Sequence, residues 1–82
     1  MSLIELTEEI ILAIVDKKDM VAVKEFTTEN ENEILIQVMV DESDMPKLIG
    51  KSGKVINSVR TIVQASSYIK DNKQIKINVD SI

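Results

Sequence analysis

The sequence predicts an α+β fold in which three helices and three strands follow one another in the order α-β-β-α-α-β. Apolar residues recur at helical spacing in residues 3–16 and 54–69. Residues 34–40 form a nearly continuous apolar run, which is typical of a strand in the middle of a sheet. Residues 75–79 alternate apolar with polar side chains, as a strand with one buried face does. We expect three helices packed on one face of a three-stranded mixed sheet, within a single domain over residues 1–82.

The N-terminal half predicts a helix followed by a β-hairpin. Ser2 and Glu5 have the spacing of a capping box, which fixes the start of a helix over residues 3–16. Residues 20–27 are rich in β-forming side chains, and the polar segment 28–32 that follows them is turn-prone. The first two strands are therefore expected to pair antiparallel through a hairpin loop.

The second half predicts two helices between the second and third strands. Ser43 or Asp44 can cap a short helix over residues 45–49, which ends at Gly50. A long helix over residues 54–69 then leads to the last strand. A connection of this kind favours a parallel, right-handed crossover if the two strands are neighbours in the sheet.

The composition excludes several classes of function. The chain contains no cysteine and no histidine, so it can form no disulfide framework, no thiolate metal site and no imidazole base. It also has no convincing acid–base pair, and we expect no enzymatic activity, no metal and no cofactor. No apolar run approaches the roughly 20 residues that a membrane span needs, so we expect a cytoplasmic protein that does not enter a membrane.

Charge is divided unevenly along the chain. Residues 1–42 hold three basic and eleven acidic residues, a net charge of −8, whereas residues 43–82 hold seven basic and three acidic residues, a net charge of +4. Such asymmetry indicates one basic working surface, although the acidic half limits non-specific affinity for nucleic acid. Ordinary surface charge is the alternative, and only the fold shows whether the cations share a face.

The most informative motif is the glycine loop, residues Gly50–Gly53, with the sequence Gly-Lys-Ser-Gly. Glycines at both ends let the backbone pass close to another molecule, because no Cβ stands in the way. The loop also offers amide N–H groups and the positive end of the next helix, which suits a phosphate. Lys47, Lys51 and Lys54 add cations around it. The pattern indicates a clamp for a nucleic-acid backbone.

A nucleotide-binding P-loop is excluded by the residues upstream of the glycine loop. That motif needs a further glycine five residues before Gly50, where this chain has Met45. It also needs a strand immediately before the loop, where this sequence predicts a helix. Asp41, Glu42 and Asp44 lack the spacing of a metal site, and we expect them at a solvated strand end and at a helix N-cap.

The arrangement resembles the type II, or bacterial, K-homology (KH) domain. The resemblance rests on the element order and on residues 44–54, which are close to the signature of that family. Arg60-Thr61 is similar to a Leu-Arg-Thr stretch in a single-domain branch, and the resemblance covers essentially the whole chain. It implies a type II KH fold and a small non-catalytic protein, of RNA chaperone or regulator type, that holds about four nucleotides of single-stranded RNA in a groove.

The resemblance also implies a role for individual residues. The glycine loop would clamp the sugar–phosphate backbone, and aliphatic side chains would form the floor of the groove, with residues 75–79 as its opposite wall. Ser52 stands where many relatives carry a base or a glutamine, which weakens the attraction for phosphate slightly. The implied RNA-binding residues are Gly50, Lys51, Ser52, Gly53, Lys47, Lys54, Ile49, Val55, Ile56 and Arg60, with Val59 also in the groove floor.

The sequence leaves two interpretations of Arg60. Its guanidinium contacts phosphate, or it pairs with an acid on the helix exterior. Phe26 and Tyr68 are the only aromatic residues, too few and too far apart for a stacking platform, and we expect them in the core or at its edge.

The resemblance finally implies assembly, as a homodimer or with a larger RNA-binding protein of the KhpB/Jag type. An alternative function follows, in which the chain is a protein-interaction subunit and its partner supplies most of the RNA affinity. The lysines around the glycine loop favour the RNA clamp, because a purely hydrophobic interface would not need them.

Overall fold

The computed structural model describes residues 2–82 and has the predicted order of helices and strands. Met1, which the predicted domain over residues 1–82 includes, lies outside the described residues. Short 3-10 turns precede β1, α2 and α3 at Lys18–Met20, Glu42–Asp44 and Lys51–Gly53. The main elements are α1 (Leu3–Ile14), β1 (Ala22–Thr27), β2 (Glu33–Val40), α2 (Met45–Ile49), α3 (Lys54–Lys70) and β3 (Gln74–Ser81).

The three strands form one mixed sheet in the spatial order β1-β2-β3. β1 runs antiparallel to β2, with Thr27 opposite Ile34 at the hairpin end. β3 runs parallel to β2 and places Ile75 beside Ile34. Helices α2 and α3 supply the long crossover that a parallel pair requires. The predictions of an antiparallel hairpin, a central second strand and a mixed sheet are confirmed.

The core lies between the sheet and the helices. β2 buries every second side chain, and the intervening ones are half-buried on the opposite face of the sheet. Because each buried aliphatic side chain contributes about 1.5–3 kcal/mol, this aliphatic cluster stabilises the chain with no aromatic residue in it. The buried apolar residues are Leu3, Ile11, Val15, Ile34, Ile36, Val38, Val40, Leu48, Ile56, Val59, Val63 and Ile77.

Helix α1 begins and ends with side-chain hydrogen bonds to its backbone. The Glu5 amide donates to Ser2 Oγ at 3.1 Å and the Ser2 amide donates to Glu5 Oε1 at 3.4 Å, so the predicted capping box is confirmed. At the other end Lys18 Nζ donates to the carbonyl oxygens of Leu12 and Val15 at 2.7 and 2.9 Å. The helix ends two residues earlier than predicted, because Val15 has an extended backbone.

Residues 2–82 contain neither a membrane-spanning helix nor a cluster of possible metal ligands. None of their helices combines the length and the apolar character needed to cross a bilayer. Their acidic side chains also form no group of three or more that could hold a metal ion.

Candidate nucleic-acid interface

The glycine loop reverses the backbone between α2 and α3 through three residues with positive φ. Gly50 has φ 72° and ψ −173°, and its amide donates to the Pro46 carbonyl at 2.9 Å to end α2. Gly53 has φ 78° and ψ 12° at the start of α3. Ser52 between them has φ 57°, a left-handed conformation that is uncommon for a residue with a Cβ. The strained loop leaves the side chains of Lys51 and Ser52 exposed.

The two glycines are required for different reasons. A Cβ on Gly50 would lie 2.4 Å from Val55 Cγ2 and 2.9 Å from Val55 Cβ, so the start of α3 occupies its space. A Cβ on Gly53 would meet only Asn57 Nδ2 at 3.6 Å, an ordinary contact. Gly50 therefore allows the loop to pack against α3. Gly53 is needed for its left-handed backbone conformation, and the space above it is open.

Lys51 and Lys54 are the exposed cations of the loop. Each extends into solvent, and within residues 2–82 neither forms an ion pair with a carboxylate. An unpaired ammonium beside exposed backbone amides attracts an anion, because no carboxylate of the protein competes for it. The two lysines therefore make the loop electropositive, although the whole chain is acidic.

Lys47, the third predicted cation, is engaged elsewhere. Its Nζ donates to the Asp16 carboxylate in an ion pair between α2 and the segment after α1. That hydrogen bond raises the pKa of Lys47 above its usual 10.5. The pair neutralises part of the charge that the sequence assigned to the flank of the loop. Lys47 therefore contributes less to the loop than Lys51 and Lys54.

The aliphatic residues predicted to floor the groove lie in three different environments. Ile49 is 39% exposed beside the loop and is available to a ligand. Ile56 and Val59 belong to the buried core, so burial leaves their side chains almost no surface for RNA. Val55 is half-buried and lines a cavity between α1 and α3. Ile56 and Val59 are inaccessible because they follow the inward stripe of α3, which leaves Ile49 as the exposed member of the predicted floor.

Arg60 does not make the ion pair with an acid that was one of its two expected contacts, within residues 2–82. Its guanidinium donates to Asn57 Oδ1 and to the Ile77 carbonyl oxygen, both at 3.0 Å, and it pairs with no acid there. Gln64, one turn later, donates to the Lys73 carbonyl at 2.9 Å and accepts from the Ile75 amide at 2.8 Å. These two side chains join α3 to the outer edge of β3 and form one wall of a groove.

The outer face of α3 carries two adjoining cavities that sequence reasoning missed. One, of about 480 Å³, begins next to the loop and is lined by Lys54, Asn57, Ser58, Thr61 and Ile62. The other, of about 440 Å³, shares Thr61 with it and is lined by Arg60, Thr61, Gln64, Ala65, Tyr68 and Ile75. The spacing of polar residues along α3 is the signal that could have indicated this face.

The expectation that both aromatic residues belong to the core or its edge is wrong. Tyr68 is 53% exposed on α3 and Phe26 is 47% exposed on β1. Each instead points to the solvent side of its element, so the core is purely aliphatic.

Asp44 positions the interface from the opposite end of α2. Its side chain is only 1% exposed, and its two carboxylate oxygens accept from the amides of Asp16 at 3.0 Å and Lys17 at 2.9 Å. These two hydrogen bonds lower the pKa of Asp44. Asp44 stands at the predicted N-cap position of α2, but its side chain makes no capping hydrogen bond to this helix. Asp41 instead accepts from the Ser43 amide at 2.9 Å and begins the preceding 3-10 turn.

Comparison with known proteins places this geometry in a family. The model of the KhpA/KhpB KH domain matches residues 4–80. The chain is 37% identical to RNA-binding protein KhpA of Clostridium perfringens over 75 residues, which cover 92% of this chain and 96% of the relative. It is 35% identical to RNA-binding protein KhpA of Thermotoga maritima over 75 residues, 92% of this chain and 95% of that one.

A solved structure shares the fold at low sequence identity. The crystal structure of Era in complex with MgGDPNP and nucleotides 1506–1542 of 16S ribosomal RNA superposes with a TM-score of 0.67 and 18% identity. The match covers 96% of this chain but 29% of the Era chain. An identity this low shows the fold alone. The family model and the curated relatives go further, and on their evidence the chain belongs to the KhpA/KhpB KH-domain family, a non-enzymatic family of KH domains.

Proposed function

We propose that the chain binds single-stranded RNA and holds its sugar–phosphate backbone with the glycine loop. The exposed loop carries this proposal, because neither Lys51 within it nor Lys54 directly after it forms an ion pair in the described part of the chain, residues 2–82. Relatives with about 35–37% identity over nearly the whole chain are named as RNA-binding proteins. We expect a non-catalytic protein, of RNA chaperone or regulator type, that acts in the cytoplasm.

The geometry supports backbone binding rather than reading of a paired duplex. KH domains clamp about four nucleotides of single-stranded RNA with a Gly-x-x-Gly loop. Here the space above Gly53 is open, so a phosphate can approach the backbone there without meeting a side chain. Ile49 offers an apolar surface beside the loop, and Arg60 and Gln64 hold α3 against the edge of β3 farther along the helix.

The test compares binding of a labelled single-stranded RNA by the parent chain and by Lys51→Asp/Ser52→Asp, using fluorescence anisotropy at low and moderate salt. The control variant, Lys24→Asp/Asn30→Asp, changes the net charge by the same amount on β1 and the hairpin. Asp at position 30 keeps the side-chain acceptor that binds the Asn32 amide at 2.9 Å. Circular dichroism checks that all three proteins are folded.

We expect the parent and the control to bind RNA and the folded loop variant to lose binding. Affinity should fall with salt, since each neutralised phosphate of a single strand contributes a log–log slope of about −0.7. Equal binding by the loop variant and the parent would reject the clamp. No binding by the parent at low salt would reject RNA binding by this chain alone.

A second function, a protein-interaction subunit, is favoured by a different surface. A cavity of about 370 Å³ between α1 and α3 is lined mostly by aliphatic side chains, among them Ile10, Ile14 and Ile62. Ile69, about two turns beyond Ile62 on α3, is 85% exposed. Exposed aliphatic side chains of this size next to an apolar groove are typical of protein interfaces. A second copy of this chain or a KhpB/Jag-type protein is the proposed partner.

Mass in solution with and without RNA separates the two functions. Sedimentation of the parent and of Ile10→Lys, a substitution in the groove but outside the proposed RNA path, should show a dimer that the variant reduces to a monomer if the groove is an interface. If the monomeric variant still binds RNA as the parent does, the clamp does not depend on assembly. A parent that is monomeric at high concentration and without a partner in its cell would reject this second function.

A further inference from the structure

Tyr68 is the exposed aromatic residue nearest to the proposed RNA track, and the clamp does not use it. It lies on α3, fifteen positions after Gly53, and a rise of about 1.5 Å per residue places it about 22 Å along the helix from the loop. Its ring lines the cavity of about 440 Å³ between α3 and β3. An RNA strand that leaves the loop and follows α3 therefore reaches this ring.

The two cavities on α3 make a continuous path from the loop to Tyr68. The cavity next to the loop starts at Lys54, the residue after Gly53, and extends to Thr61. The cavity of Tyr68 begins at Thr61 as well. The two cavities therefore adjoin at Thr61. The cavity next to the loop shares Lys54, Ser58 and Ile62 with the aliphatic groove against α1. From Thr61 the path turns toward the β3 edge, where Ile75 lines the cavity of Tyr68.

The lining of the second cavity suits a nucleobase. Tyr68 and the side chains of Ala65 and Ile75 give an aromatic and aliphatic surface, on which a base can stack regardless of its identity. Arg60 adds a cation at the rim. Two of its five N–H donors are used by Asn57 and Ile77 within residues 2–82, so others remain for a phosphate or a base edge.

The wall of this cavity is held in place by hydrogen bonds that do not involve Tyr68. Gln64 spans α3 and β3 through the Lys73 carbonyl and the Ile75 amide, and Ser67 Oγ donates to the same carbonyl at 2.8 Å. The side of the cavity formed by α3 and the start of β3 is therefore fixed in the absence of a ligand, which lowers the entropic cost of binding.

We propose that this cavity is a base-stacking subsite, in which the Tyr68 ring receives a nucleobase of the same RNA strand beyond the nucleotides that the glycine loop clamps. The inference rests on the proposed RNA clamp and extends it. It assigns the chain a longer footprint on RNA than the loop alone provides. Tyr68 would then increase the affinity for RNA of any sequence and would not select a particular base, because every base has a π face.

The composition provides a direct probe of this subsite. Tyr68 is the only tyrosine and the chain has no tryptophan, so the intrinsic tyrosine emission of the protein comes from this ring alone. We would titrate the unlabelled parent with oligouridines of about four and about eight nucleotides, the shorter matching the number that a KH loop clamps. The longer RNA should quench the emission strongly and the shorter one should leave it nearly unchanged.

Substitution at the ring gives the affinity test. Stacking of one base on an aromatic side chain contributes about 1–3 kcal/mol, so Tyr68→Ala should weaken binding of the longer RNA by about fivefold or more. Tyr68→Phe keeps the ring and should bind within about twofold of the parent. Phe26→Ala removes the other exposed aromatic side chain, on β1, and serves as the matched control. The side chain of Tyr68 is half-exposed, so its removal leaves the fold intact by circular dichroism.

The outcomes separate the subsite from the clamp. If Tyr68→Ala binds the longer RNA like the parent while Lys51→Asp/Ser52→Asp does not, the subsite is rejected and the clamp stands. If Tyr68→Ala weakens the shorter and the longer RNA equally, the ring does not serve an additional nucleotide and the proposal is also rejected. If the parent binds neither RNA, the proposed function fails and the subsite fails with it.

Discussion

The two ends of α2 are built in opposite ways, although only five residues separate them. At the N-terminal end Asp44 is buried, and its carboxylate accepts two backbone hydrogen bonds from the segment after α1. At the C-terminal end the glycine loop is exposed and has three positive φ angles, and neither Lys51 within it nor Lys54 after it forms an ion pair within residues 2–82. The carboxylate at the N-terminal end has its hydrogen-bond partners within the protein, whereas the C-terminal end leaves ammonium groups and backbone amides available to a ligand.

The difference shows how a short helix can present a strained loop. A helix of five residues has no stability of its own in water. Here the buried Leu48 packs into the core and Asp44 joins the start of the helix to the α1 end. The anchoring contacts therefore lie away from the loop, and the loop residues are free to be chosen for binding. Substitutions at the two ends should test this division.

The largest effect is expected from Gly50→Ala, because it breaks the packing of the loop itself. The backbone at Gly50 lies in a region that only glycine adopts readily, and a strained residue there costs about 1–3 kcal/mol. Crowding of the new Cβ against Val55 adds about 1–3 kcal/mol. Denaturant unfolding should show a loss of stability of this combined order, with loss of RNA binding. A second variant, Gly50→Ala/Val55→Ala, should recover part of the stability, and no recovery would contradict the crowding.

The next effect is expected from Asp44→Asn, which weakens the anchored end. The amides of Asp16 and Lys17 would share one neutral acceptor oxygen in place of two charged ones. We expect the melting temperature at neutral pH to fall by several degrees. Glu42→Gln, an exposed neighbour, is the control and should melt like the parent. A melting temperature unchanged by Asp44→Asn would contradict the anchoring role.

Acidification tests the same end without mutation. The folded-state pKa of Asp44 lies below its usual 3.8, so the ionised carboxylate stabilises the fold above that value and this contribution is lost as the pH falls through the folded-state pKa. The parent should therefore lose melting temperature below about pH 4. Asp44→Asn should lose less over the same range, although Asp41 and Glu5, whose pKa values are also lowered, still titrate. Identical acid profiles would assign the effect to those two residues.

A smaller effect is expected from Gly53→Ala. The substitution meets no close atom and costs only the left-handed conformation, about 1 kcal/mol. Its effect on RNA binding should be larger than its effect on stability, since the new methyl group stands in the open space above the loop. Denaturant unfolding and anisotropy on the same samples measure both. A loss of stability equal to that of Gly50→Ala would contradict the different roles of the two glycines.

The smallest effect on stability is expected from Lys51→Gln, which changes only the exposed end. Unfolding free energy should stay within about 0.5 kcal/mol of the parent, as for other surface substitutions. The slope of log affinity against log salt should decrease by about 0.7, the contribution of one phosphate on a single strand. Lys24→Gln on β1 is the matched control and should leave the slope unchanged. A shift of the slope by both variants would indicate a general charge effect.

The exposed end of α2 was predictable from sequence, and the anchored end was not. The glycine loop is a local signal, since its conformation depends on four consecutive residues. Asp44 finds its partners 27 and 28 positions away, and Lys47 finds Asp16 31 positions away. No spacing rule in the chain reveals such contacts, so an acid after a strand resembles a solvated one. The order of helices and strands could be predicted because periodicity is local as well.

The exposed aromatic residues show the other limit of prediction from sequence. Tyr68 and Ile62 lie within the apolar-rich helix α3, and only the exact direction of its buried stripe decides which of them faces water. The core takes Ile56, Val59 and Val63 from this helix. A rotation of one position in the assumed stripe moves a side chain from core to surface. Tyr68, which extends the proposed RNA site, is a residue whose exposure depends on this direction.

The hydrogen bonds from α3 to β3 have a consequence for solubility. β3 is an edge strand, and the unpaired main-chain groups of such a strand can recruit a strand from another molecule into a growing sheet. Gln64 and Arg60 occupy the Ile75 amide and the Ile77 carbonyl, two of the groups that an incoming strand would need. The wall of the proposed RNA groove thus also shields the chain from aggregation along its sheet edge.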